Sequence, residues 1–178
     1  PGPIPHGISD NPGGIQAFWI QSIRIRGRNR QPASSSCRPL APSPLLLRRV
    51  RHLKLFSPAK INLFLNVLSK RPDGYHELET LFERISLGDV LLLKKRATGI
   101  RFRTSGCPVP AGPENLVVQA AGLLQQECRV KAGVDIYLNK RIPVSAGLGG
   151  GSSNAAFTLL GLNRLWNLGL SKKKLLAF

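Results

Sequence analysis

The sequence has no methionine, three cysteines, nine acidic residues and no apolar run long enough to cross a membrane. Each shortage excludes something. Cys37, Cys107 and Cys128 are odd in number and far apart, with neither zinc spacing nor a disulfide framework. They read as ordinary thiols, and a reducing cytosol is the simplest setting for them. No stretch approaches the roughly 18 apolar residues of a membrane-spanning helix, so no membrane partner is expected. Without methionine no initiator is in view. Acids are scarce against 26 lysines and arginines, and the formal net charge is +17. Such a field attracts nucleic acid, membrane phosphates and nucleotides alike, so charge alone does not choose among them.

The charge divides unevenly in kind. Residues 1–52 hold eight arginines, no lysine and one acid, Asp10, for a net +7. Proline and glycine punctuate the start, and Gln31 to Pro44 is rich in Pro, Ser and Ala. Arg24 to Arg30 alternates but has no partner strand nearby. This predicts a disordered or non-native extension, such as sequence read through a missed start. A transit peptide has the same Arg- and Ser-rich, acid-poor composition and would imply a plastid rather than a bacterial cytoplasm. A nucleic-acid-binding arm is a third reading.

From Leu53 the pattern becomes regular, and 53–178 reads as one domain. Ala59–Val67 and Leu78–Leu87 suit strands, joined across a Pro72-Asp73-Gly74 turn. Gly88-Asp89 is expected to form a tight connection into a further apolar run, Val90–Leu93. Ile100–Arg103 alternates like an edge strand. Asn115 to Cys128 has helical apolar spacing. Gly133–Asn139 puts Val134, Ile136 and Leu138 on one face of a strand. Ala155–Trp166 is again helical, Gly169 suits a stop, and Ser171 suits the N-cap of a next helix that is cut off at Phe178. Strands first, then helix, strand and helix, predict an α+β layer rather than regular βαβ alternation. A natural domain seldom stops after two turns of its last helix, so the chain is expected to be a C-terminally truncated piece.

Between that strand and that helix lies Pro143-Val144-Ser145-Ala146-Gly147-Leu148-Gly149-Gly150-Gly151-Ser152-Ser153. Its glycines allow φ > 0 and close approach of a ligand to the backbone. The helix that follows adds unpaired N–H groups and a positive dipole end. Strand, glycine loop and helix start together make a phosphate cradle. A flexible linker is the plain alternative, but linkers are seldom wedged between two patterned elements. The P-loop needs a lysine that this loop lacks. The dinucleotide fingerprint fails because position 152 is Ser and no acid follows at the expected distance.

The loop resembles that of the GHMP kinase superfamily, in which it wraps the phosphates of ATP. Two further segments extend the likeness: Ser57-Pro58-Ala59-Lys60-Ile61-Asn62-Leu63 and Asp73-Gly74-Tyr75-His76. The three in this order are similar to the branch of the superfamily whose substrate is 4-diphosphocytidyl-2-C-methyl-D-erythritol. The resemblance runs from about Leu53 to Phe178. It implies a ribosomal protein S5 domain 2-like two-layer domain, phosphorylation of a small-molecule alcohol, and ATP with Mg2+, with no metal site of the protein's own assigned. Oligomeric state is not indicated.

Residues 143–153 are then expected to bind ATP. Lys60 sits in an apolar strand, where a charge is costly unless paired or useful, and the resemblance makes it the catalytic lysine. Asn62 lies two residues on, hence on the same face, and suits the tetritol hydroxyls. Tyr75, His76 and Phe82 are implied to hold the cytidine, by ring stacking and a hydrogen bond to the base edge. In the family an Asp in a Gly-Ala-Asp-Val-Pro-like segment acts as general base, and no such segment occurs before Phe178. The fragment alone is therefore expected to be inactive. Two other readings stay open: another GHMP small-molecule kinase, and an S5-like RNA-binding module. The second lacks interleaved aromatics and an RNA motif, so no nucleic-acid partner is expected.

Overall fold

The computed structural model describes residues 51–178 apart from 71, 73 and 75. The N-terminal extension expected over 1–52 lies, but for its last two residues, outside the described residues. The described chain runs β1 (His52–Lys70), β2 (His76–Arg96), β3 (Ile100–Gly106), α1 (Leu116–Glu127), β4 (Gly133–Lys140), α2 (Gly150–Leu165) and α3 (Lys172–Leu176). The strands form a mixed sheet in the order β1-β2-β4-β3. Neighbours β1–β2 and β2–β4 are antiparallel, and β3–β4 is parallel. The parallel pair is joined through α1, so one βαβ unit sits inside the expected α+β layer. Ile100–Arg103 does lie on an edge strand.

Alternation in β4 explains the layering. Val134, Ile136 and Leu138 are buried, while Asp135 and Tyr137 point the other way. Leu91 and Leu93 of β2 join them against Val117, Ala121 and Leu124 of α1 and Ala156, Leu159 and Leu162 of α2. Asn115 caps α1, its Oδ1 accepting from Val117 N–H at 2.9 Å. Ser171 caps α3 in the same manner. The helix after the loop begins at Gly150 and ends with Trp166 as C-cap.

One expectation fails. Gly88-Asp89 is no turn: β2 runs unbroken through both residues and pairs Gly88 with Pro58 and Asp89 with Ser57. The glycine serves close packing instead. A Cβ at position 88 would collide with the Phe56 ring and the Ser57 carbonyl. Asp89 is wholly buried, with partners described below. β1 and β2 thus make one long hairpin. Its far half is open: Leu63, Phe64, Leu65, Val67, Leu68 and Leu81 are all exposed.

Candidate functional site

Residues 141–149 connect the end of β4 to the start of α2. The backbone there turns through positive φ at Ser145 (58°), Gly147 (70°) and Gly149 (65°). Gly149 is the N-cap of α2 and supplies no side-chain cap bond. The first N–H groups of α2 therefore lack the side-chain acceptor that usually serves them. No acid lies in that first turn. Gly150 and Gly151, by contrast, are already helical. At Gly150 the reason is space: a Cβ would press on Ile142 and on the Lys140 ammonium. Ser145 has no such excuse as an L-residue with positive φ, and no sequence rule singles it out.

The loop forms one wall of a cavity of about 310 Å3. Val109, Pro110, Asn115, Leu138 and Lys140 line the remainder with Glu114 and the first turn of α1. Residues 143–152 all face this space. Ser153 does not line it. It is fully buried, its hydroxyl donating to Pro58 O at 2.8 Å and lying 2.8 Å from Ser57 Oγ. Its part is to fasten α2 to β1.

The same fastening brings the loop to Lys60. The Lys60 N–H donates to Leu148 O at 2.9 Å, a backbone bond from β1 into the glycine loop. Lys60 is only 4% exposed. Its ammonium donates to Asn62 Oδ1 at 2.7 Å and stands 4.9 Å from the centre of the Phe82 ring. The Asn62 amide is oriented from behind, Nδ2 donating to Thr80 Oγ1 at 3.0 Å. Thr80 in turn donates to Phe64 O at 2.8 Å. Lys60, Asn62 and Phe82 thus form one group beside the loop. His76 does not join it. It opens β2 opposite Lys70 and is exposed. It lies six positions before Phe82, about 20 Å along an extended strand. Tyr75 lies outside the described residues.

Beneath the loop is a polar cluster that the sequence reading missed. Asp89 Oδ1 accepts from Arg141 N–H at 2.7 Å and Ile142 N–H at 2.8 Å. Its Oδ2 accepts from Lys140 Nζ at 2.6 Å and Asn154 Nδ2 at 2.9 Å. Asn154 also donates to Ser57 Oγ at 3.0 Å. The available signal was a lone acid in the run Gly-Asp-Val-Leu-Leu-Leu, the same anomaly that drew attention to Lys60. Its reading as a turn hid it.

Residues 115–178 match the family described as the GHMP kinases N terminal domain. The 4-diphosphocytidyl-2-C-methyl-D-erythritol kinase of Methylococcus capsulatus is 51% identical over 125 residues, 70% of this chain and 43% of that protein. Its namesake in Syntrophomonas wolfei is 46% identical over 126 residues, 71% of this chain and 44% of that one. A crystal structure of 4-(cytidine 5'-diphospho)-2C-methyl-D-erythritol kinase superposes with a TM-score of 0.62 at 43% identity, over 70% of this chain and 45% of that one. The chain spans less than half the length of these relatives.

Proposed function

We propose that this chain, which carries the N-terminal domain of the GHMP kinases, holds the phosphates of ATP in its glycine loop for transfer to the 2-hydroxyl of 4-diphosphocytidyl-2-C-methyl-D-erythritol. The observation that carries the reading is the Lys60–Leu148 backbone bond. It sets a loop suited to phosphate against the strand that bears a buried ammonium. The relatives' names supply the choice of substrate.

Loop N–H groups and the dipole end of α2 would receive the triphosphate. Mg2+, a hard cation that takes oxygen ligands, would travel with the nucleotide. The Ser152 hydroxyl and Glu114 carboxylate on the cavity wall suit it chemically. Lys60, held by Asn62 and Phe82, would orient the attacking hydroxyl and offset charge on the transferred phosphoryl group. That hydroxyl oxygen bonds to the γ-phosphorus, the bond to ADP breaks, and the hydroxyl proton passes to a general base. Phe82 beside Lys60 and His76 on the hairpin would meet the substrate's organic part at two separated points, with Tyr75 next to His76. No described helix is long and apolar enough to cross a membrane.

The binding test is calorimetric titration of this chain with ATP, before and after Gly149→Val. A β-branched residue at φ 65° is strained by about 1–3 kcal/mol. The expected loss of affinity is about tenfold or more. A variant that binds ATP as the parent does would refute the cradle. The chemical test is ADP release by a form extended to the length of the relatives. It should respond to 4-diphosphocytidyl-2-C-methyl-D-erythritol and not to homoserine or mevalonate, and should be lost in Lys60→Ala. A response to the other alcohols would point to a different kinase of the superfamily.

A further inference from the structure

We infer that Asp89 is the positioning residue of the phosphate loop, a single carboxylate that pins both ends of the loop in the shape a ligand needs. For the ligand's identity this rests on the ATP reading above; for the loop's shape it rests on geometry alone.

Asp89 lies in the middle of β2, opposite Ser57, and is 0% exposed. A carboxylate removed from water is costly unless its acceptor sites are filled. Here they are, by the four donors already named. An ionised carboxyl offers about four lone-pair sites, so this one is saturated. The location of those donors is what matters. Three come from consecutive residues, Lys140, Arg141 and Ile142, where the chain leaves β4 and enters the loop. The fourth comes from Asn154, where it has entered α2. Residues 143–152, which face the cavity, hang between these anchors.

Lys140 adds a second element. Its ammonium is 2.6 Å from Asp89 Oδ2 and lies 2.9 Å from the point a Cβ on Gly150 would occupy. It fills the space under the first residue of α2 and forms part of the cavity wall. Residues 143–153 hold no lysine, and the Lys140 ammonium is a cation packed directly beneath them. Asp89 fixes where that cation sits. A loop held in this way has already lost its conformational freedom on folding, and a ligand need not order it. A carboxylate that served only the stability of the sheet would need no bonds to both sides of the loop.

Asp89→Asn keeps the side-chain shape and the acceptor for Arg141 and Ile142. It turns an NH2 group on two donors, Lys140 Nζ and Asn154 Nδ2. Two measurements on the folded chain decide the matter: amide hydrogen exchange resolved along the sequence, and calorimetric titration with ATP. In the variant, exchange over 141–153 should accelerate about tenfold or more, while β3 and residues 133–138 of β4 keep the parent rates. ATP affinity should fall about tenfold at a temperature where the variant is fully folded. Parent-like exchange over 141–153, or a uniform rise across the domain, would overturn the inference. So would parent-like ATP affinity in a variant whose loop has loosened. If Asp89→Asn does not fold, Asn154→Ala carries the test, since it removes one donor and leaves the ion pair. A roughly threefold rise in exchange confined to the loop and the start of α2 is then expected, and none would overturn the inference. If the parent chain binds no ATP, the nucleotide reading fails by itself. The exchange contrast still decides for or against Asp89.

Discussion

The two faces of the sheet part company within three consecutive residues. Leu91 and Leu93 are completely buried, and Leu92 between them is 40% exposed. The inner face, under α1 and α2, is apolar along most of its length and then changes character at one end. On β1 it runs Leu53, Leu55, Ser57; on β2, Leu93, Leu91, Asp89; on β4, Ile136, Leu138, Lys140. The last members of these three series are the buried polar groups that hold the loop. The outer face carries Lys94, Arg96, Arg101, Arg103 and Tyr137, with Asp135 as its acid. Its contacts are exposed ion pairs and the 2.6 Å link between Tyr137 Oη and Ser105 Oγ. The candidate site is therefore an outgrowth of the core face. The same alternation that packs leucines at one end delivers a carboxylate and an ammonium at the other.

The contrast is sharpest between Leu93→Ala and Leu92→Ala. Position 93 meets α2 closely enough that a Cβ on Gly161 would collide with it. Truncating Leu93 removes transfer free energy and leaves a cavity, a loss of about 2–5 kcal/mol. Leu92, on the open face, should change stability by about 0.5 kcal/mol or less. Urea midpoints at constant m-value are the measurement. Equal shifts would mean that something covers the outer face, and the two-face description would be wrong.

How much of this was visible in the sequence varies with the element. β4 alternates cleanly, so its inner face was readable. Val90–Leu93 is apolar throughout, and no period there tells in from out. The N-cap role of Ser171 is legible in local chemistry, and so is the strand–loop–helix order around the glycine loop. The loop glycines look alike in sequence, yet Gly147 and Gly149 serve backbone conformation and Gly150 serves contact, as Gly88 and Gly161 do outside the loop. Contact depends on partners far away in sequence, which composition cannot supply. The Asp89 cluster was hidden for the same reason, since its ties span 51 to 65 residues. Ser153, a loop hydroxyl on paper, turns out to face β1.

A middle-sized effect is expected where a helix that covers the inner face begins. Asn115 is nearly buried, accepts from Val117 N–H and donates from Nδ2 to Pro110 O at 2.7 Å. Asn115→Ala should cost about 1 kcal/mol, within the usual range for a lost N-cap. Asn115→Asp keeps the acceptor for Val117 and gives up the bond to Pro110. It should recover most of that loss in the same urea titration. No recovery would mean that the bond to the Pro110 carbonyl, rather than the cap, anchors the helix.

The smallest effect belongs to the outer face. Asp135 is drawn below the ordinary carboxylate value of 3.8 chiefly by the hydrogen bond from Arg101 at 2.6 Å. The positive charges of Arg101, Arg96 and Arg103 act in the same direction, and partial desolvation opposes them. A carboxyl whose pKa is lower folded than unfolded binds protons more tightly in the unfolded chain. Its contribution is fully present above the unfolded value and fades as pH falls through that value toward the folded one. Asp135→Asn should therefore lower the melting temperature slightly at pH 7, and the gap to the parent should close below about pH 4. Raising salt at neutral pH should narrow it too, because exposed charges are screened. A gap that persists unchanged through acid and salt would show that Asp135 acts through packing or neutral hydrogen bonds. The outer face would then contribute to the fold by the same means as the inner one, and the distinction between them would be one of degree.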